Sequence, residues 1–101
     1  MTRVLAGANT RVSETYRTLL CNTLDVGFNA VQINPGAGVE TYTCIVQAAH
    51  DNTANVLVGN QNEQRFELAA GESVSLPVDI GDVWVRAAGN VQQTINWLAG
   101  G

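Results

Sequence analysis

One histidine–carboxylate pair stands adjacent in this sequence, His50-Asp51. A carboxylate beside an imidazole is the core of a general base, and a serine nucleophile would complete a triad. Ser13, Ser73 and Ser75 are the serines present, and none has the strand–turn–helix setting of a nucleophile elbow. Cys44 precedes His50 by six positions, and a thiol and an imidazole can act together. That spacing, on and after a strand pattern, is no signature of such a pair. Gly36-Ala37-Gly38 follows a strand pattern as a phosphate loop would. The residues after it, Val39-Glu40-Thr41-Tyr42, read as another strand, so the helix N-terminus that holds an anion is missing. A hairpin turn is the simpler reading. Asp79 and Asp82 flank a turn and could approach a calcium ion, but turn chemistry already accounts for both. Two cysteines and one histidine lack the local spacing of a zinc site. No acid, base and nucleophile converge, so the expectation is a protein that is not an enzyme and needs no cofactor or metal.

Composition narrows the partners. The chain has 101 residues and a net charge of −4, enough for a single domain, 1–101, with one core. Charged residues are 14% of the chain, below the roughly 25% of ordinary soluble domains. Lysine is absent, and Arg3, Arg11, Arg17, Arg65 and Arg86 are dispersed. A nucleic acid or an anionic membrane would need a clustered basic surface, so neither is expected as a partner. Low charge has two readings: drift in composition, or a surface buried against copies of itself or a partner, where lysine is depleted and arginine enriched. The opening MTRVLAGANTRV has no apolar core of secretory type, and no run approaches a membrane span. Synthesis in a cytoplasm is expected. Cys21 and Cys44 are then expected reduced and at least partly buried, although a disulfide between them is not ruled out by spacing.

The elements that would position these residues are strands. Arg65 to Val78, RFELAAGESVSLPV, sets Phe66 and Leu68 against Arg65 and Glu67, then Val74, Leu76 and Val78 against Ser73, Ser75 and Pro77. Period-two alternation places one set on a buried sheet face. With Gly71 in the turn, the pair reads as a hairpin. Pro77 cannot donate to a ladder, which puts its strand at an edge or its nitrogen outward. Tyr42 to Ala49 is apolar on both sides and reads as a strand covered on both faces. Asn55-Gly59, Val83-Ala87 and Gln92-Leu98 complete the second half, with Trp97 in phase with Ile95 as a core residue. Trp84 lies opposite the valines of its strand. It is either a core residue of a two-faced strand or an exposed ring for a protein contact or a sugar. In the first half, Arg3–Ala6 and Asn29–Asn34 read as strands. Ser13–Leu24 is strand or irregular on its threonines and a short helix on the spacing of Tyr16, Leu19, Leu20 and Leu24. Short strands at regular spacing predict an all-β, single-domain antiparallel β-sandwich, jelly-roll-like, with that one short helix as the other reading.

From Tyr42 onward the layout resembles a known class. The segments FELAAGESVSLPV, DVWVRAAGN and TINWLAG, preceded by Ile45-Val46-Gln47-Ala48 and Val56-Leu57-Val58-Gly59, resemble small β proteins encoded among the structural genes of tailed bacteriophages. The resemblance implies a virion structural protein, often a head-decoration (cement) protein that assembles symmetrically, typically as a trimer, on the major capsid protein at the head surface. It brings no catalytic residues. Candidate contact residues are Leu57, Arg65, Trp84 and Arg86, on the face opposite the presumed core or at strand edges. The other reading is a carbohydrate- or receptor-binding module of a fibre or spike, using Trp84 with the amides of Asn60 to Gln64.

Overall fold

A computed structural model of the chain describes residues 19–36 and 38–100. The strands are β1 (Leu19–Val26), β2 (Val31–Gln32), β3 (Thr43–Ala48), β4 (Val56–Gly59), β5 (Gln64–Leu68), β6 (Ser73–Leu76), β7 (Trp84–Ala87) and β8 (Gln93–Gly100). They form two four-stranded antiparallel sheets packed as a sandwich. One, the long sheet, has the order β1-β8-β3-β6, and the other, the short sheet, has β2-β7-β4-β5. The orders nest: β4 pairs with β5, β3 with β6, β2 with β7 and β1 with β8. The chain thus runs as a ribbon folded back on itself, with successive rungs in opposite sheets.

Alternation explains the core. Cys44, Val46 and Ala48 of β3, Ile95, Trp97 and Ala99 of β8, Val56 and Val58 of β4, and Val85 and Ala87 of β7 all point between the sheets and are buried. Ile33, Leu68, Ile80 and Val83 belong to the same core cluster. Trp97 is a core residue as its phase predicts. β3 is covered on one face only, because Ile45 on its outward side keeps 38% of its surface and faces no third layer. Of the ambiguous Ser13–Leu24, the part from Leu19 is strand. Ser13 to Thr18 lie outside the described residues, as does Arg3–Ala6. The helical content among the described residues is one 3-10 turn, Ile80–Asp82, and none of them forms a helix long and apolar enough to cross a membrane.

Two turns differ from expectation. The Arg65–Val78 stretch is not a hairpin: β5 lies in the short sheet and β6 in the long one. Gly71 does adopt positive φ, +85°. Its N–H donates to the Ala48 carbonyl, and the Glu72 carbonyl accepts from the Ala48 N–H, both at 2.9 Å. The turn therefore docks on the end of β3 and carries the chain across the sandwich. The hairpin of this region is β4–β5, around Asn60–Glu63. Gly36 (φ +126°) and Gly38 (φ +75°) likewise lead from β2 in one sheet to β3 in the other instead of closing a hairpin. Pro77 follows β6, which is an edge strand as the missing donor requires.

Candidate interaction surface

The outward face of the short sheet gathers three of the four predicted contact residues. Leu57 of β4 stands directly between Glu67 of β5 and Arg86 of β7. Trp84 is two residues before Arg86 on the same face, and both are half-buried. The Arg86 guanidinium lies over the Phe28 ring, 5.9 Å from its centroid. A cation so placed gains about 0.5–1 kcal/mol at an exposed site. Phe28 is 55% exposed. Leu57 is 8% exposed, with Glu67 and Arg86 as its cross-strand neighbours. A partner on this face would touch Trp84, Arg86 and Phe28, with Leu57 as the floor beneath them.

Arg65 stands apart. It is the extra residue of a bulge, between the Val58–Phe66 and Gly59–Gln64 pairs. Its guanidinium donates to Glu63 Oε2 at 2.8 Å with both side chains well exposed. Such a pair contributes about 0–1 kcal/mol. The bulge is possible because residue 59 is glycine: a Cβ there would lie 2.7 Å from Gln64 Cα and collide with the Glu63 backbone. The hairpin loop satisfies itself. Asn60 Oδ1 accepts from the N–H groups of Asn62 (2.9 Å) and Glu63 (2.8 Å), and buried Gln64 donates from Nε2 to the Asn60 carbonyl at 2.6 Å.

The outward face of the long sheet has a different chemistry. Register places Cys21, Leu98, Ile45 and Ser75 in one row across all four strands. The next row, Thr23, Asn96 and Gln47, is linked by Thr23 Oγ1 donating to Asn96 Oδ1 (2.8 Å) and Asn96 Nδ2 donating to Gln47 Oε1 (3.4 Å). Among the described residues of this face, Asp25 is the one carboxylate, and it accepts from Thr94 Oγ1 at 3.1 Å. Cys21 is exposed here, contrary to the expectation of burial, because β1 turns its odd-numbered residues outward. Cys44 points inward from the same sheet, so the two thiols lie on opposite faces and are free.

Polar side chains fasten both ends of the long sheet, Gln93 and Thr41 buried, Asn52 and Asp79 half-buried. At one end, Gln93 (2% exposed) accepts at Oε1 from the N–H groups of Thr53 and Ala54, and donates from Nε2 to Thr53 Oγ1 and the Val91 carbonyl. Beside it, Asn52 mimics a strand residue, donating to the Thr94 carbonyl and accepting from the Thr94 N–H. At the other end, Asp79 Oδ1 accepts from the Thr41 N–H and hydroxyl and from the Gly81 N–H, while Thr41 Oγ1 accepts from the Ile80 N–H. The Gly81 N–H, then the Thr41 hydroxyl and N–H, hold the Asp79 carboxyl below its ordinary range against a smaller opposing effect of burial. Burial, and secondarily the Asp79 charge, push the Cys44 thiol up, which keeps it protonated and unreactive.

These roles absorb most of the residues that could have done chemistry. Asp79 is the cap of a 3-10 turn. Ser73 and Ser75 are outward strand positions. His50 is exposed in the corner after β3, whereas Cys44 faces the core, so the structure does not bring them together. Sequence patterning passed over Phe28, Asn52 and Gln93. Phe28 sits in a loop without periodicity, and polar strand residues read as outward by default. No protein-family model matches the chain, and no curated protein matches it in sequence.

Proposed function

We propose that the chain is a non-enzymatic structural protein of a virion: a capsid decoration (cement) protein of jelly-roll type that binds the major capsid protein on a phage head as a homo-oligomer, with a trimer favoured. The observation that carries this reading is the Trp84–Arg86–Phe28 patch, an aromatic and arginine cluster over the sealed Leu57. Tryptophan and arginine in a surrounded patch are the residues that dominate protein contacts. The nested strand order supports the jelly-roll assignment. The nearly uncharged outward face of the long sheet supports self-association, since interface cores are depleted in charge. A protein that binds only assembled subunits stabilises the assembly by mass action.

The test is co-sedimentation with empty heads of the virus that encodes the chain. Wild type is expected to pellet with heads and to raise their dissociation temperature. Absence of both effects removes the decoration role. The sugar-binding reading is less well supported, because Asn60 Oδ1 and Gln64 Nε2 are already used within their own loop. Glycan-array binding lost in Trp84→Ala would reverse that preference.

A further inference from the structure

Among the described residues, the two edge strands β5 and β6 face each other across the sandwich without closing it. Between them opens a cleft of about 370 Å³, lined by Val58, Phe66, Val74, Leu76, Val78 and Val83, with the carboxylate of Asp82 in its wall. Buried Val58 and Val83 belong to the core cluster, and Val74 and Leu76 pack against it. Phe66 keeps 56% of its surface exposed and Val78 keeps 39%, although alternation assigns both to the inward side. A free small molecule in a built pocket is mostly enclosed by it. Here the rims are themselves apolar and open, so covering them takes a surface wider than the cleft, that of another protein.

Three observations define the chemistry of that partner. The first is the backbone, because neither edge invites another strand. β6 is short and is followed by Pro77, and β5 is bulged at Arg65 and carries charges of both signs in Arg65 and Glu67. The partner enters with side chains. The second is charge. Asp82 is an exposed carboxylate in an otherwise apolar wall, and the chain is net −4. Neither described arginine offsets Asp82: Arg65 is held by Glu63, and Arg86 lies over Phe28. The third is continuity with the Trp84–Arg86–Phe28 patch. Asp82 and Val83 lead directly into Trp84, and Gly59 of the cleft wall pairs with Trp84. Two residues of chain span at most about 7 Å, so a partner seated on Trp84 reaches Asp82.

We propose that the cleft is a second anchor point for the capsid partner. It receives an aromatic or large aliphatic side chain, carried next to a lysine or arginine that meets Asp82. The identity of the partner rests on the decoration reading, whereas the chemistry of the cleft does not.

Two measurements on the full chain tell these apart. In the first, acetyl-Phe-Arg-amide and acetyl-Phe-Glu-amide are titrated while NMR follows the methyl signals of Val74, Leu76 and Val78. The arginine dipeptide is expected to shift these signals saturably, at concentrations on the order of millimolar because so small a ligand makes few contacts. It should bind about fivefold more tightly than the glutamate dipeptide, and Asp82→Asn should remove that preference. No shift, or equal binding of the two dipeptides, overturns the proposal whatever the heads do. In the second, Phe66→Ser and Asp82→Asn are co-sedimented with empty heads. Each is expected to weaken binding about fivefold with only a modest change in melting temperature, and the Asp82→Asn loss should shrink as salt is raised. Wild-type affinity in both variants, with Trp84→Ala still losing it, overturns the proposal and leaves the decoration reading standing. A wild-type chain that ignores heads removes that reading and overturns the capsid as the occupant of the cleft.

Discussion

The two sheets of this sandwich divide the work of holding a fold and of presenting a surface. The long sheet has two eight-residue strands, an outward face with one carboxylate among the described residues, and a hydrogen-bonded polar anchor at each end. The short sheet has strands of two to five residues, and its outward face carries a cation over an aromatic ring, a half-buried tryptophan and charged residues at its edge. Anchors held by several hydrogen bonds fix geometry, because removing one partner strands another. Exposed charges and aromatics fix little and are free to meet a partner. On the proposed reading, stability effects belong to the long sheet's corners and capsid-binding effects to the short sheet's face, with the long sheet's outward face left for self-association.

The largest binding effect is expected from Trp84→Ala. Truncating a central aromatic of a contact patch costs about 2 kcal/mol or more, roughly a thirtyfold loss of affinity for empty heads. Thermal unfolding should show only a modest shift, since Trp84 is outside the core cluster. If head binding survives, the contact surface lies elsewhere.

Gln93→Leu should reverse that pattern. It leaves the Thr53 and Ala54 N–H groups without their acceptor, and a buried orphan costs about 1–3 kcal/mol. Urea titration should show the loss with head affinity, measured well below the midpoint, unchanged. A neutral Gln93→Leu would mean that solvent replaces the side chain and that the corner is no anchor.

Asp79 gives a smaller effect with a defined sign. Its folded carboxyl titrates below the ordinary value, so its contribution is present above that value and lost as pH falls through the folded one. Asp79→Asn should therefore flatten the acid limb of melting temperature against pH and leave its neutral and alkaline part nearly parallel to wild type. An unchanged acid limb would remove Asp79 as the source.

Arg65→Ala is expected to matter least, about 0–1 kcal/mol in unfolding, because both it and its partner Glu63 are well solvated. It should also leave head binding nearly unchanged, in contrast to Trp84→Ala. A loss comparable to Trp84→Ala would extend the contact surface to the hairpin.

Much of this division was legible in the sequence, for a physical reason. Alternation reports which residues share a face, so Val83, Val85 and Ala87, and Ile95 with Trp97, could be read from the chain, as could Trp84 and Arg86 on the opposite face, but not whether that opposite face is covered. Alternation does not report which strand lies next door. The β5 and β6 patterns looked like a hairpin because a positive-φ glycine serves a sheet-crossing corner as well as a tight reversal. The real hairpin was hidden in the polar run Asn60–Glu63, whose turn depends on Asn60 capping its own backbone and on Gly59 allowing close approach. Gln93 and Asn52 were illegible because a buried amide is distinguished from an exposed one only by partners distant in sequence.

We propose that the nearly uncharged long-sheet face joins copies while the short-sheet face meets the capsid. Light scattering coupled to size-exclusion chromatography separates these roles, on wild type, Trp84→Ala and Leu98→Arg. Leu98 lies 37% exposed in the middle of the Cys21–Leu98–Ile45 row, so a charge there spoils that face without entering the core. The expected result is an oligomer for wild type and Trp84→Ala, with a trimer favoured, and a monomer for Leu98→Arg. A wild-type monomer at all concentrations, or an oligomer dissolved by Trp84→Ala and untouched by Leu98→Arg, would overturn that assignment of the two faces.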